Sequence, residues 1–204
     1  MENLIESYEE KKIEIKSRLQ DFRKVWKSND NLFEELAFCL FTPQSKAEAC
    51  WKAVCDLKEN GLLYDGSSSQ LAKYMQSVRF YNNKINHLIG ARKFANGELR
   101  RELENLNQEE AREWLVENVK GFGYKEASHF LRNVGFAEDL MILDRHILKN
   151  LVKHRAIREI PKSMTPSKYF EIEDKMKRFA SKVGIPPAEL DILLWSQETG
   201  KVFK

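Results

Sequence analysis

The chain has 204 residues, 42% of them hydrophobic and 32% charged, with a formal net charge of +3. That is enough for one compact domain or two small ones with a sizeable core. The mild basic excess permits nucleic-acid binding without diagnosing it, and no apolar run approaches the length of a membrane span.

Helical periodicity dominates from the start. Residues 4–26 carry apolar positions at Leu4, Ile5, Tyr8, Ile15, Leu19, Phe22 and Val25. This acidic, helix-patterned N-terminus is expected to be no signal peptide. Ser28-Asn29-Asp30-Asn31 breaks the helix and can cap the next, which holds Leu32, Phe33, Leu36, Ala37 and Leu40. Thr42-Pro43 marks another break, and a helix starting at Gln44 or Ser45 is expected to run to about Asn60. Gly61 and Gly66-Ser67-Ser68-Ser69 are turn signals, followed by expected helices over 69–76 and 82–94. Asn107 can cap a helix over 108–118, with Ala111, Trp114 and Leu115 on one face. Residues 124–134 place Ala127, Phe130, Leu131 and Val134 at i, i+3, i+4 and i+7. A helix over 145–153 follows, then one opened by Thr165-Pro166 and ending near Gly184. Pro186-Pro187 opens the last, which ends before Gly200. No strand alternation, internal repeat or low-complexity tract stands out, so the reading is all-α with roughly ten short helices.

Three cysteines, Cys39, Cys50 and Cys55, share one apolar helical stretch. Their odd number and the lack of C-x-x-C argue against a disulfide framework and favour a cytoplasmic setting. No spaced group of four ligands exists for a zinc or iron–sulfur site, so no metal is expected. The cysteines read as small buried hydrophobes, and the 9–12 Glu-Glu-Lys-Lys run as a solvated helix face.

The most informative segment is Val119-Lys120-Gly121-Phe122-Gly123-Tyr124-Lys125-Glu126-Ala127, set between two amphipathic helices. Gly121 and Gly123 allow a tight reversal where a side chain would clash. Ala127 lets the second helix pack closely on the first. Such a hairpin aims backbone N–H groups at the start of the second helix into solvent. That is a cradle for phosphate, which grips DNA without reading its sequence. An ordinary αα-turn is the bland alternative.

These residues resemble the helix-hairpin-helix DNA glycosylases. In the bifunctional members of that superfamily a lysine lies two residues after the second hairpin glycine, the place of Lys125. A helix-starting aspartate follows, and Asp144, 19 residues on in Ile142-Leu143-Asp144-Arg145-His146, matches it. The chemistry suits the pair. An N-glycosidic bond breaks through an oxocarbenium-like sugar, which a carboxylate stabilises. A neutral amine can attack C1′, expel the base, and form a Schiff base that permits β-elimination of the 3′ phosphate.

The run Lys125 to Gly135, then Asp144-Arg145-His146-Ile147, is similar to the archaeal-type (type 2) 8-oxoguanine DNA glycosylases. So are Arg79-Phe80-Tyr81, Leu190-Asp191-Ile192-Leu193-Leu194-Trp195 and the final Thr199-Gly200-Lys201-Val202-Phe203-Lys204. The resemblance is weakest in the first 30 residues. It implies a lesion-excising enzyme with coupled lyase activity, no iron–sulfur cluster or other cofactor, and duplex DNA containing 8-oxoguanine as partner. A monomer is expected. It also implies two helical subdomains with the active site in the cleft between them. The expected boundaries are 30–135 for a central bundle ending in the hairpin motif at about 108–134, and 1–29 plus 136–204 for the second subdomain.

Extruding a base requires a wedge, a pocket and phosphate grips. Gln44, at the expected helix start, is the wedge candidate. Phe80 and Trp195 are candidates to stack on the purine, and Asp191, one turn before Trp195, can accept hydrogen bonds from its Watson–Crick edge. The resemblance also implies that Lys204 reaches the base: a terminal carboxylate could accept from N7–H, and the ammonium could donate to O8. Lys120, Gly121, Gly123, Arg145 and His146 are candidates to grip phosphate. His129, one turn after Lys125, either faces the site or serves packing. A non-catalytic hairpin module would need neither Lys125 with Asp144 nor a Trp/Asp pocket. An enzyme for oxidised pyrimidines would usually carry cluster cysteines.

Overall fold

Local capping chemistry sets most of the helix starts. Ser28 Oγ accepts from the Asn31 N–H at 3.4 Å, and Thr165 Oγ1 accepts from the Lys168 N–H at 3.3 Å. Asn107 and Glu110 form a reciprocal capping box, each side chain accepting the other's backbone N–H at 2.9 Å. In this computed structural model, which describes residues 2–204, the helices are α1 (Glu2–Val25), α2 (Asn29–Phe41), α3 (Ala47–Glu59), α4 (Ser68–Tyr74), α5 (Tyr81–Ala91), α6 (Glu98–Leu103), α7 (Gln108–Asn118), α8 (Tyr124–Asn133), α9 (Arg145–Lys153), α10 (Pro166–Val183) and α11 (Pro187–Thr199). No strand occurs among the described residues. The chain is all-α.

Two local expectations change, and one helix is new. The helix after Pro43 begins at Ala47, not at Gln44 or Ser45, because residues 42–45 form a turn. The expected helix to 94 ends at Ala91 and tightens into a 3₁₀ turn over Arg92–Phe94. Helix α6 carries only Leu99 and Leu103 as apolar residues, too few for the periodicity to reveal it.

The chain folds as two units. Val25–Phe130 forms one. At its centre lies α2, whose residues Leu32–Phe41 are all buried, as expected for a helix that is apolar nearly all round. Helices α3, α5 and α6 pack around it. Phe33, Phe38, Phe41, Leu57, Leu71 and Phe130 are almost fully buried there, each contributing ~1.5–3 kcal/mol by removal from water.

The second unit is the chain up to Lys24 together with Leu131–Lys204. Its most buried element is α11, inaccessible from Ala188 through Leu194 and packed on α9 and α10. Tyr8 donates to the Glu189 carboxylate at 2.6 Å, tying α1 to α11. Gly135 ends α8 in a left-handed conformation, and a Cβ there would lie 2.4 Å from the Arg23 Cα. The unit boundary therefore falls inside α8, at 130/131, rather than at the expected 135. The physical reason is Arg132: its guanidinium is buried and bonded to Asp191 on α11, which commits the end of α8 to this second unit.

Candidate active site

The hairpin is built by α7, the residues 119–123 and α8. Gly121 takes φ +102, and a Cβ on it would lie 2.4 Å from Nδ1 of His87. The turn therefore demands glycine there twice over, by conformation and by space. Burial, with Lys120 and Lys84 nearby, holds the His87 imidazole below its usual pKa. Gly123 differs from expectation: its φ is not positive, and a Cβ would meet only Glu126 Oε2, at 3.4 Å. Its N–H is already used, donated to Glu126 Oε2 at 3.1 Å. Glu126 thus locks the first turn of α8 from the third helical position.

The other carboxylate oxygen of Glu126 receives the Lys125 ammonium at 2.9 Å. The Lys125 side chain is 23% exposed, partly covered at the first turn of α8. Sequence reasoning missed Glu126. The signal was present, since an acid three residues after a helix-starting position is a capping pattern. Lys120 is exposed on the hairpin, and Ala127 is fully buried beneath it. His129 is 7% exposed and packs edge-on against Phe38 at 5.6 Å between ring centroids.

In the same unit, Thr42-Pro43-Gln44-Ser45 is a turn closed by the Ser45 N–H on Thr42 O at 2.9 Å. Gln44 is exposed, with φ +57. Phe80 precedes α5 in a left-handed conformation, φ 55 and ψ 34, and is 56% exposed. The Arg79 guanidinium lies 5.4 Å from its ring centre. Between these two segments sits Lys84, only 5% exposed. Its ammonium donates to Phe41 O at 2.6 Å, Pro43 O at 2.7 Å and Ser45 Oγ at 3.0 Å. Burial pushes that ammonium down to about 8. Cys50 also donates to Phe41 O, at 3.1 Å, and burial pushes its thiol up to about 11. Cys39 and Cys50 are buried, while Cys55 is partly exposed.

The second unit carries the carboxylates. Asp144 is the N-cap of α9, accepting from the Ile147 N–H at 2.8 Å. The chain leading to it is fixed by side chains of α10. Tyr169 donates to Met141 O at 2.5 Å, Glu173 accepts from the Met141 N–H at 2.9 Å, and the Leu143 N–H lies 3.5 Å from the Tyr169 hydroxyl. Arg145 is exposed. His146 Nδ1 lies 3.6 Å from Glu198, and Asn150 also donates to Glu198, at 3.2 Å.

Asp191 is not an open acceptor. It is 3% exposed and receives the Arg132 guanidinium at 2.7 Å. Burial raises its carboxyl to about 7; Arg132 opposes this, Asp144 nearby adds to it, and a hydrogen bond from the Ile142 backbone again opposes. Arg132 also donates to Asn133 Oδ1 at 3.0 Å and lies over the Phe22 ring. Trp195 is half-buried, and Phe203 stacks on it with centroids 6.5 Å apart. The tail after Gly200 therefore turns back toward α11, and Lys204 is half-buried at its end. Neither Arg132 nor the Phe203 contact was legible beforehand, since both depend on where distant segments meet.

Among the described residues no cluster of His, Cys, Asp and Glu could hold a metal ion, and no helix is long and apolar enough to cross a membrane. The helical architecture and the hairpin together define a class, the helix-hairpin-helix glycosylases. Comparison with known proteins narrows it. A family model for 8-oxoguanine DNA glycosylase matches residues 15–185. An 8-oxoguanine DNA glycosylase/AP lyase of Fusobacterium nucleatum is 46% identical, covering 97% of this chain and 94% of that protein. One from Methanocaldococcus jannaschii is 39% identical over 93% of this chain and 91% of that protein. The crystal structure of the M. jannaschii 8-oxoguanine glycosylase/lyase in complex with a 15mer DNA containing 8-oxoguanine matches with a TM-score of 0.90 at 36% identity, covering 100% of both chains. The chain belongs to the 8-oxoguanine DNA glycosylase family.

Proposed function

We propose that the protein excises 8-oxoguanine from duplex DNA and then cleaves the strand 3′ to the abasic site. It does so as a monomer acting on cytoplasmic DNA. The observation that carries this reading is Lys125: an amine in the first turn of a hairpin helix, held by the neighbouring Glu126 carboxylate, in a chain that belongs to this family.

The steps balance without a cofactor. The neutral Lys125 amine forms a bond to C1′ as the C1′–N9 bond breaks, and the base leaves with the electron pair and takes up a proton. Ring opening gives the Schiff base. Loss of a C2′ proton then expels the 3′ phosphate, and water releases the lysine. Asp144 stabilises the cationic sugar while remaining the cap of α9. Lys125 leaves the Glu126 carboxylate to reach C1′. Phe80 and Trp195 offer aromatic faces to the base, and Lys204 offers it a terminal carboxylate that can accept from N7–H and an ammonium that can donate to O8. Asp191, buried and paired with Arg132, holds α8 and α11 together rather than meeting the base. Gln44 fills the vacated stack, while Lys120, Arg145, His146 and the N–H groups at Gly121 and the first turn of α8 engage phosphates, the Gly123 N–H being held by Glu126.

The test is release of free base and strand cleavage from duplexes carrying 8-oxoguanine opposite each of the four bases, in the presence of a chelator. Excision from lesion duplexes and none from undamaged guanine is expected. Absence of base release from every duplex would refute the proposal.

A further inference from the structure

Lys84 is a buried cation that the proposed chemistry leaves unused. Its surroundings explain why burial is tolerated. An ammonium has three N–H donors, and Lys84 meets three acceptors: Phe41 O, Pro43 O and Ser45 Oγ at 2.6, 2.7 and 3.0 Å. Phe41 is the last residue of α2, and Ala37 through Phe41 include no cation of their own. Lys84 supplies the positive charge that this helix end lacks.

The segments it joins break local rules in the same way. Gln44 is the third residue of the Thr42–Ser45 turn, a place where φ +57 favours glycine or asparagine. Phe80 stands before α5 with φ 55, where extended Ser, Thr, Asp or Asn is usual. Non-glycine residues keep such conformations only when the surroundings over-determine them. Lys84 and Ser45 do this for both. Lys84 fixes the carbonyls on either side of the Thr42–Pro43 step. Ser45 Oγ, besides receiving the Lys84 ammonium, accepts the Arg79 N–H at 3.0 Å, so the side-chain link from Lys84 to the Phe80 segment runs through Ser45.

We propose that Lys84, acting through Ser45, is a positioning residue for base extrusion: it holds the Gln44 turn and the Phe80 segment in left-handed backbone, so that both exposed side chains are set before DNA arrives. The inference rests on the reading of Gln44 as wedge and Phe80 as a face for the base.

The test compares full-length wild type, Lys84→Met and Ser45→Ala on two duplexes, one with 8-oxoguanine and one with a pre-formed abasic site, together with melting temperature. An abasic site has no base to unstack or unpair, so its cleavage depends far less on the wedge than on the amine. Excision of 8-oxoguanine should fall about tenfold in both variants, and the rise in fluorescence of 2-aminopurine placed beside the lesion on binding should shrink. Cleavage of the abasic duplex should stay within about twofold of wild type. Ser45→Ala leaves both carbonyl bonds of Lys84 intact and decides the matter if Lys84→Met does not fold. Undiminished excision in folded variants overturns the inference. So does an equal fall on both duplexes, which would mean that Lys84 acts through the Lys125 amine, whose charge it feels, or through the fold at large. A wild type inactive on both duplexes would instead overturn the underlying functional reading.

Discussion

Lys125 and Glu126 are neighbours in sequence and partners in space, and the carboxylate has a second task. One oxygen takes the ammonium and the other takes the Gly123 N–H. Glutamine can keep the second contact but not the charge, and alanine can keep neither. Glu126→Gln should therefore melt close to wild type, while Glu126→Ala should lose ~1 kcal/mol, the usual worth of a helix-start lock. Equal losses in thermal denaturation would show that the ion pair, not the lock, supplies the stability. Asp191 makes a pH-dependent contribution of opposite origin. Its folded pKa of about 7 lies above its ordinary value. The folded state therefore binds more protons than the unfolded state between about pH 4 and 7. Its stabilising contribution is complete below that window and is lost as pH rises through it, at most ~1.4 kcal/mol per pH unit. Asp191→Asn should remove this slope from a series of melting curves across that range. A slope unchanged in the variant would place the titration elsewhere.

At the scale of the element, α9 shows one side chain serving structure and chemistry together. Asp144 caps the helix by accepting the Ile147 N–H at 2.8 Å, and asparagine caps about as well as aspartate. Asp144→Asn should preserve the melting temperature yet lower excision at least ~100-fold, a loss of ~2.7 kcal/mol in transition-state stabilisation. Asp144→Ala should lose the same activity and ~1 kcal/mol of stability besides. A folded Asp144→Asn with wild-type rates would remove the carboxylate from the mechanism. This helix start was legible because a cap is a local affair, written within four residues, as it was for Ser28, Asn107 and Thr165. Helix α6 was not, since Glu98-Leu99-Arg100-Arg101-Glu102-Leu103 offers two apolar positions in six residues. The start of α3 was misplaced because Gln44 and Ser45 look like helix openers. A lysine 40 residues away from Gln44, invisible to any local rule, holds them in a turn.

For the whole molecule, the all-helical class followed from periodicity alone, and the hairpin from two glycines and an alanine at the right spacing. Legibility ended where function depends on meetings between distant segments. Arg132 finds Asp191 across 59 residues, which turns an expected hydrogen-bond acceptor for the base into one half of a buried ion pair. Phe203 folds back on Trp195, so one face of the expected stacking platform already has an occupant. These contacts bear on base recognition, whereas the central chemical claim rests on one amine. Its most direct measurement is borohydride trapping on duplex DNA containing 8-oxoguanine, with the wild type beside Lys125→Gln. A covalent protein–DNA complex is expected for the wild type and none for Lys125→Gln, which should still bind the duplex. A trapped complex that persists in Lys125→Gln would contradict that claim.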